Sequence, residues 1–471
     1  MKTECTKVDA GFQPLGRREI RADFNGGTIT SDGGALLLRE AEQRTGILQR
    51  FSQCFIDHRK QNRIEHDVVS LVSQRVIGLA LGYEDLNDHD QLATDKMLAI
   101  AVGKKDPTGM DRLSERDKGK PLAGKSTLNR LELTRPDATS QSAYKKIVID
   151  SQSVDNLFVD VFMESYPEPP EEIILDVDAT DDPLHGEQEG RFFHGYYKAY
   201  CYLPLYIFCG EHLLCARLRT AHNDASAGTV EELERIVARI REVWPATKII
   251  IRGDSGFCRE SLMCWCEDHD VDFILGLAKN RRLREAIEEE LYLAQALYQC
   301  SGKASREYKD FCYKTRHSWR WQRRVVGKAE HLSKGSNPRF VVTSFSPEEW
   351  EAKALYERLY CGRGDMENRI KEQQLMLFAD RTSTHKLHSN QIRLYFSSLA
   401  YVLVQSLRRL GLAGSEMAKA QCDTIRLKLF KIGARIRITV RKIWISFAGG
   451  YPYKKIFEQA VGNLLKFPLY V

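Results

Sequence analysis

The stretch IILDVDATDD, residues 173–182, places four aspartates at the end of an apolar run. Such a run predicts a buried β-strand that reaches the edge of a sheet. Because side chains alternate along a strand, Asp176 and Asp178 should share one face, with Leu175 and Val177 buried on the other. Carboxylates in this position repel one another and resist desolvation, so we expect a cation or a proton-transfer task to compensate them.

The sequence around this stretch predicts an α/β fold with a mixed sheet flanked by helices. Further short apolar runs follow it, and turn signals separate them. One long amphipathic helix is predicted within 227–244. The apolar runs are YCYLPLYIFC, HLLCARLR, KIIIRGD and DFILGLA.

Changes in pattern along the chain predict five regions. Amphipathic helices dominate the first, the second holds the strands, the third looks like a small antiparallel β-rich insertion, helices return in the fourth, and apolar and basic residues alternate in the fifth as in a strand pair or hairpin. The predicted boundaries are 1–165, 166–279, 280–345, 346–420 and 421–471.

Composition predicts an intracellular protein without a membrane partner. The chain has 471 residues, of which 43% are hydrophobic, enough for a large core in more than one domain. No apolar run approaches the roughly 18–20 residues that span a bilayer, and the N-terminus MKTECTKVDAGFQP lacks the apolar segment of a signal peptide. The 12 cysteines are scattered along a long chain, as expected of reduced thiols.

Charge is distributed unevenly along the chain. Residues 381–471 carry 16 Lys and Arg against 3 acids, a local net charge of +13, so the rest of the chain sums to −7. A basic block joined to an acidic body indicates a polyanion held near a carboxylate-rich centre. The alternative is that these basic residues only solvate surface helices.

Two more acids stand where they could join Asp178 in a site. Asp254 ends the apolar run in IRGDSG, and Glu367 lies in YCGRGDMENRIKEQQ. On a helix, Glu367 would share a face with Arg363, Lys371 and Gln374. Carboxylates converging from strand ends and a helix suit a hard divalent cation. Taken singly, Asp254 could be a turn residue, and Glu367 could form ordinary surface ion pairs.

Together these motifs resemble the DDE transposases of bacterial insertion sequences, in the superfamily marked by Tyr-x2-Arg-x3-Glu-x6-Lys. Tyr360, Arg363 and Glu367 match at the right spacing. Gln374 replaces the final Lys, and Lys371 is the nearest substitute. The glycines at 362 and 364 weaken a continuous helix, so one helix is expected to end near Tyr360 and another to begin near Glu367.

The resemblance implies a ribonuclease H-like core in which three acids are catalytic and bind two Mg²⁺, with Mn²⁺ as the alternative ion. These acids are Asp178, Asp254 and Glu367. The DAT sequence favours Asp178 over Asp176 as the first ligand, and Asp176 remains the alternative.

The resemblance also implies a function: cleavage of transposon ends and strand transfer into target DNA. Double-stranded DNA is the expected partner, a homodimer should assemble on it, and the expected location is the bacterial cytoplasm at the nucleoid. The helical N-terminal region is expected to read the inverted repeats. Residues expected to contact DNA are Tyr360, Arg363, Lys371, Arg435, Arg437 and Arg441. The alternatives are a structure-selective nuclease with the same acids and a DNA-binding regulator without catalysis.

Two further motifs are weaker. GKPLAGKS, residues 119–126, fits the P-loop pattern but follows a polar stretch instead of a buried strand. The next segment, 126–133, could be a recognition helix or an ordinary capped surface helix. Cys264, Cys266 and His269 lack the spacing of a structural zinc site, which favours buried thiols.

Overall fold

A nine-stranded mixed sheet organises the middle of the chain. The computed structural model describes residues 10–470, so residues 1–9 of the predicted N-terminal region and Val471 of the basic region lie outside it. The strands of the sheet are β1 Glu172–Ala179, β2 Leu205–Cys209, β3 His212–Arg217, β4 Lys248–Gly253, β5 Asp272–Leu277, β6 Ser305–Tyr313, β7 Arg323–Leu332, β8 Gly335–Ser336 and β9 Arg339–Thr343. They run in the order β3-β2-β1-β4-β5-β9-β7-β6, with β8 paired to β7.

The centre of the sheet combines antiparallel and parallel pairing. β1, β2 and β3 form an antiparallel meander, and β1, β4 and β5 are parallel neighbours. Both β2 and β4 are almost wholly buried, as expected for strands covered on both faces. Helices Thr229–Val243 and Glu260–Asp268 supply the crossovers between the parallel strands. This mixed sheet is as predicted and is consistent with a ribonuclease H-like core.

The region 280–345 differs from the prediction of a separate β-rich insertion. It begins with two helices, Arg281–Ala286 and Glu288–Ser301. Its strands are antiparallel, as predicted, but β9 pairs with β5, so they prolong the main sheet. Val325, Val341 and Val342 are fully buried, which explains why these strands dock against the sheet.

The N-terminal helices pack against helices from the end of the chain. Phe51 and Phe55 contact Phe396 of the helix Leu387–Leu410, with ring centroids 5.5 and 6.4 Å apart. The two ends of the chain thus share one apolar core. The N-terminal helices are Ala35–Thr45, Ile47–Gln53, Val68–Leu81, Asp88–Leu92, Lys96–Val102, Lys125–Glu132 and Ser151–Met163. The division into five domains stays a prediction.

Several short strands form smaller sheets outside the nine-stranded sheet. A basic hairpin forms near the C-terminus, as predicted, and its first strand also pairs with Ile29–Thr30. The remaining pairs are Ala10–Leu15 with Arg18–Ala22, Phe55–Asp57 with Ile147–Ile149, and a small sheet of Asp182–Pro183, Phe192–His194 and Ala199–Tyr202. The C-terminal elements are Cys422–Ile425, Ala434–Ile438, Ile443–Phe447 and Lys454–Leu464.

The cysteines within residues 10–470 are all unpaired. No helix in this part of the chain is long and apolar enough to cross a membrane.

Candidate active site

Asp176 and Asp178 lie on the central strand β1 but have different environments. Asp176 is 3% exposed, and its two carboxylate oxygens accept hydrogen bonds from Arg252 Nε at 2.6 Å and Nη2 at 2.8 Å. Asp178 borders a cavity, and its Oδ1 accepts a hydrogen bond from the backbone N–H of Ala179 at 2.9 Å. Asp178 therefore faces a space that a ligand can enter, whereas the carboxylate of Asp176 is buried against Arg252.

Asp254 emerges beside Asp178. β4 is parallel to β1, with Gly253 opposite Val177, so the next residue of each strand reaches the same edge of the sheet. One oxygen of Asp254 accepts a hydrogen bond from the N–H of Gly256 at 2.8 Å, which fixes the turn after β4. Its side chain also borders the cavity.

The segment carrying Glu367 is helical throughout, and the predicted division takes the form of a 3₁₀ turn after Tyr360. It winds first as a π-helix, then as a 3₁₀ turn, then as an α-helix and again as a π-helix; the parts are Leu355–Tyr360, Cys361–Arg363, Gly364–Lys371 and Glu372–Met376. Gly362 allows close packing, since a Cβ there would lie 2.7 Å from Nη1 of Arg252, whose guanidinium is held by Asp176 and the carbonyl of Leu359. The glycine that indicated a helix end instead lets the helix approach β4.

Arg363 bridges two of the predicted catalytic acids. Its Nη1 lies 3.2 Å from Oδ2 of Asp178, and its Nη2 lies 3.2 Å from Oε1 of Glu367. Asp178, Asp254 and Glu367 all line one cavity of about 600 Å³. The structure thus brings the three acids to one place, although they are far apart in sequence.

The acids do not form a closed metal cage in this arrangement. Within residues 10–470, no three His, Cys, Asp or Glu side chains stand close enough together to hold a metal ion. Two of the acids, Asp178 and Glu367, lie on either side of the guanidinium of Arg363, which binds both.

The electrostatics of the cavity favour a cation. Burial raises the pKa of Asp178 to about 6; Arg363 lowers that pKa, and the charges of Asp254 and Glu367 raise it. One arginine therefore does not fully compensate the carboxylates. Carboxylate oxygens are the ligands that hard divalent cations prefer, so the donor set fits such an ion.

Gln374 occupies the position of the lysine expected from the signature. Its amide Nε2 donates to Oδ1 of Asp182 at 2.8 Å and to the carbonyl of Asp181 at 3.1 Å. Asp182 is fully buried, and burial raises its pKa to about 8. At neutral pH the partner of Gln374 is therefore largely a protonated carboxyl, which needs no lysine.

The other residues predicted to contact DNA fall in three places. Lys371 is exposed at the cavity. Tyr360 does not line the cavity. Its hydroxyl packs against Gly276 of β5, where an added Cβ would lie only 2.6 Å from the hydroxyl oxygen. The exposed hairpin at 434–447 carries the three remaining arginines, and none of them lines the cavity; they are Arg435, Arg437 and Arg441.

Two features of the site were missed by the sequence analysis. Arg252 ties the helical segment to the sheet, since its Nη1 donates to the carbonyl of Leu359 at 2.5 Å while the rest of its guanidinium holds Asp176. A basic residue inside the apolar run IIIRGD was the available signal. Tyr196 and Tyr197 border the cavity from the small sheet after β1, and no spacing rule would have identified them.

Comparison with known proteins decides the family. The family model described as "Transposase DDE domain group 1" matches residues 12–469. The chain belongs to this family. It is a DNA transposase, an enzyme that cleaves DNA strands and transfers them.

Comparison with curated proteins and with solved structures adds little to the family assignment. No curated protein matches this transposase. Among solved structures, the cryo-EM structure of a piggyBac transposase synaptic complex with hairpin DNA aligns with a TM-score of 0.42 and 10% sequence identity, covering 85% of this chain and 80% of that chain. DDE transposases generally depend on a divalent metal, in agreement with the carboxylates in the cavity of this one.

Proposed function

We propose that this transposase cuts transposon ends and joins them to target DNA through Asp178, Asp254 and Glu367. The observation that carries the proposal is that these acids, from β1, from the end of β4 and from the helix Gly364–Lys371, line one cavity. They would hold two Mg²⁺, with Mn²⁺ as the alternative. Such ions, when bound, activate a water or a 3′-hydroxyl and stabilise the leaving oxygen.

Arg363 would supply positive charge between the acids in the protein alone and would bind a DNA phosphate once metal is bound. In the protein alone, its guanidinium bridges Asp178 and Glu367 and offsets their repulsion. Bound cations would take over that role, and the planar guanidinium would then be free to form a two-pronged contact with a DNA phosphate. Lys371, exposed at the same cavity, would contact a neighbouring phosphate.

The remaining partners follow from the reaction. Double-stranded DNA supplies both the inverted-repeat ends and the target, and pairing two ends calls for a homodimer assembled on DNA. The arginines of the hairpin 434–447 would bind its backbone. The unpaired cysteines suit a reducing compartment, so we place the protein at the nucleoid of a bacterial cytoplasm.

The test is cleavage and joining of a labelled inverted-repeat duplex with and without Mg²⁺. Asp178→Asn, Asp254→Asn and Glu367→Gln should each lower cleavage by orders of magnitude while DNA binding persists, because each removes a charge that holds metal. The matched control is Glu416→Gln, which neutralises an exposed acid outside the cavity and should stay active. Full activity in any of the three variants removes that residue from the site.

The same assay separates the alternative functions. A structure-selective nuclease would cut the duplex with metal but would form no joined product. A regulator would bind the inverted repeat equally with and without Mg²⁺ and cut nothing.

A further inference from the structure

A second concave surface lies among the N-terminal helices, apart from the catalytic cavity. It is a groove of about 530 Å³ between the loops at 59–66 and 112–120 and the first turns of the helix Lys125–Glu132. We call it the N-terminal groove. Six basic side chains line it against three acids: Arg59, Arg63, Arg112, Arg116, Lys120 and Arg130, against Glu65, Asp90 and Asp117.

The basic side chains of the groove divide into two kinds. Arg59 and Arg112 are held by carboxylates, Arg59 by Asp57 at 2.7 Å and Arg112 by a neighbouring glutamate. Arg63 and Arg130 have no carboxylate within 4.0 Å in the part of the chain that the structure describes. Their charge is therefore available to an anion.

The rim of the groove adds further free charge. Arg116, with a side chain 86% exposed, and Lys120, which is half exposed, share the single carboxylate of Asp117, at 3.4 and 4.0 Å. Exposed pairs at such distances contribute little stability, and a phosphate could replace the carboxylate at small cost.

The floor of the groove contains buried donors without acceptors. His66 is 4% exposed, and its Nε2 accepts a hydrogen bond from Nη1 of Arg112 at 2.6 Å. Burial, with the charge of Arg112, lowers the pKa of His66 to about 3, so the ring is neutral and its proton lies on Nδ1. Within residues 10–470, neither this Nδ1 nor Nε of Arg112 has a hydrogen-bond partner. Unpaired buried donors are costly, and these two belong to residues that line the groove.

The helix Lys125–Glu132 presents its N-terminal end to the groove. Gly124 and Thr127 line the groove, and the backbone N–H of Lys125 donates to Oδ1 of Asp90 at 2.9 Å, so Asp90 offsets the positive end of the helix. The other end is fixed, because buried Glu132 binds both Arg75 and Arg393 at 2.8 Å. The rigid helix therefore holds Arg130 in position beside the groove.

We propose that the N-terminal groove binds backbone phosphates of the transposon-end duplex, at a distance from the cleaved bond. This inference rests on the proposed function, since it names the place where the same DNA is gripped. No Phe, Tyr or Trp lines the groove, so it has no aromatic surface on which a base would stack. Phosphate contacts position a duplex without reading its sequence, so the groove should act alike on every duplex.

The test is a salt titration of DNA binding by the full-length protein carrying Arg63→Gln and Arg130→Gln together. The probes are a labelled inverted-repeat duplex and a scrambled duplex of equal length. Removing two phosphate-binding charges should weaken binding of both duplexes by a similar factor and reduce the slope of log affinity against log salt by about two units. Cleavage at saturating DNA should be retained, because neither arginine lines the catalytic cavity.

The matched control carries Arg284→Gln and Arg316→Gln. These two arginines are exposed, as Arg63 is, and lie outside both the groove and the catalytic cavity. A groove variant whose affinity and slope equal those of the control overturns the proposal. A loss confined to the inverted-repeat duplex also overturns it, because the groove would then read bases.

Two further outcomes are decisive. If inorganic phosphate raises the thermal midpoint of the parent but not of the groove variant, while the DNA slopes stay equal, the groove binds a small anion and the proposal fails. If the parent binds DNA but cleaves none with Mg²⁺, the proposed function fails, whereas the comparison of slopes still decides the groove.

Discussion

The carboxyl groups of Asp176, Asp178 and Asp182 lie in three different environments. Asp176 is paired with Arg252, Asp178 faces the cavity that Asp254 and Glu367 also line, and Asp182 is buried with a pKa raised to about 8. Their partners come from distant parts of the chain. The sequence predicted that this acidic stretch needs compensation, but it could not assign a different compensation to each residue.

The state of Asp182 predicts a pH effect on stability. Its pKa is near 8 in the folded protein and near 4 when unfolded, so the folded state binds the extra proton between those values. This contribution to stability is complete below about pH 4 and is lost as pH rises through about 8. Asp182→Asn is neutral throughout. Relative to that of the parent, its free energy of unfolding should rise by an amount on the order of 3 kcal/mol between pH 5 and pH 8.

Urea denaturation of both proteins at pH 5, 6.5 and 8, without metal, measures this difference. Glu416→Gln is the control, because Glu416 is an exposed acid that is not among the charges acting on Asp182. An equal pH dependence in Asp182→Asn and the parent would mean that Asp182 is ionised in the folded protein.

At the scale of elements, one buried ion pair holds the helical segment against the sheet. Arg252 on β4 binds Asp176 on β1 and the carbonyl of Leu359 at the end of the first π-helical stretch. Only a few residues separate this contact from Arg363 and Glu367. The network therefore sets how the segment carrying Glu367 approaches the strands that carry the other two acids.

Breaking this ion pair from one side should be costly. Arg252→Met leaves the Asp176 carboxylate buried without a partner, which typically destabilises a protein by about 3–5 kcal/mol. The double variant with Asp176→Leu removes both charges, and we expect it to recover much of that loss. Thermal and urea denaturation of the two variants measure the effect. Equal stability of the single and double variants would show that the two side chains act independently.

The elements differ in how far the sequence could predict them. β1, β4 and β5 were predictable because each is a short apolar run, and the face with Arg363, Glu367 and Lys371 followed from helical periodicity. The pairing of β9 with β5 could not be predicted, since it joins residues more than 60 positions apart through contacts that leave no local pattern in the sequence. The expected division of the helix takes the form of a 3₁₀ turn at Cys361–Arg363, while the chain stays helical and Gly362 accommodates Arg252.

At the scale of the whole molecule, the net charge of the C-terminal region overstates its free charge. Arg408 is buried against Glu372, Lys431 binds Asp32 at 2.7 Å, and Arg426 donates to the carbonyls of the helix Val68–Leu81. Lys431 and Arg426 thereby hold the two ends of the chain together. The charge still available to a polyanion lies largely on exposed elements such as the hairpin 434–447.

The last prediction concerns that hairpin. Replacing Arg435, Arg437 and Arg441 by Gln together should weaken binding to all duplexes and lower the salt slope by about one unit for each phosphate that is no longer bound. Arg437 lies over the Trp444 ring at 5.8 Å, so the thermal midpoint should be compared first to show that the protein stays folded without this contact. If hairpin and N-terminal groove grip one duplex, combining both sets of substitutions should reduce the slope by the sum of the separate effects. A folded triple variant with the parental slope would mean that these arginines are only a solvated surface and that DNA follows another path.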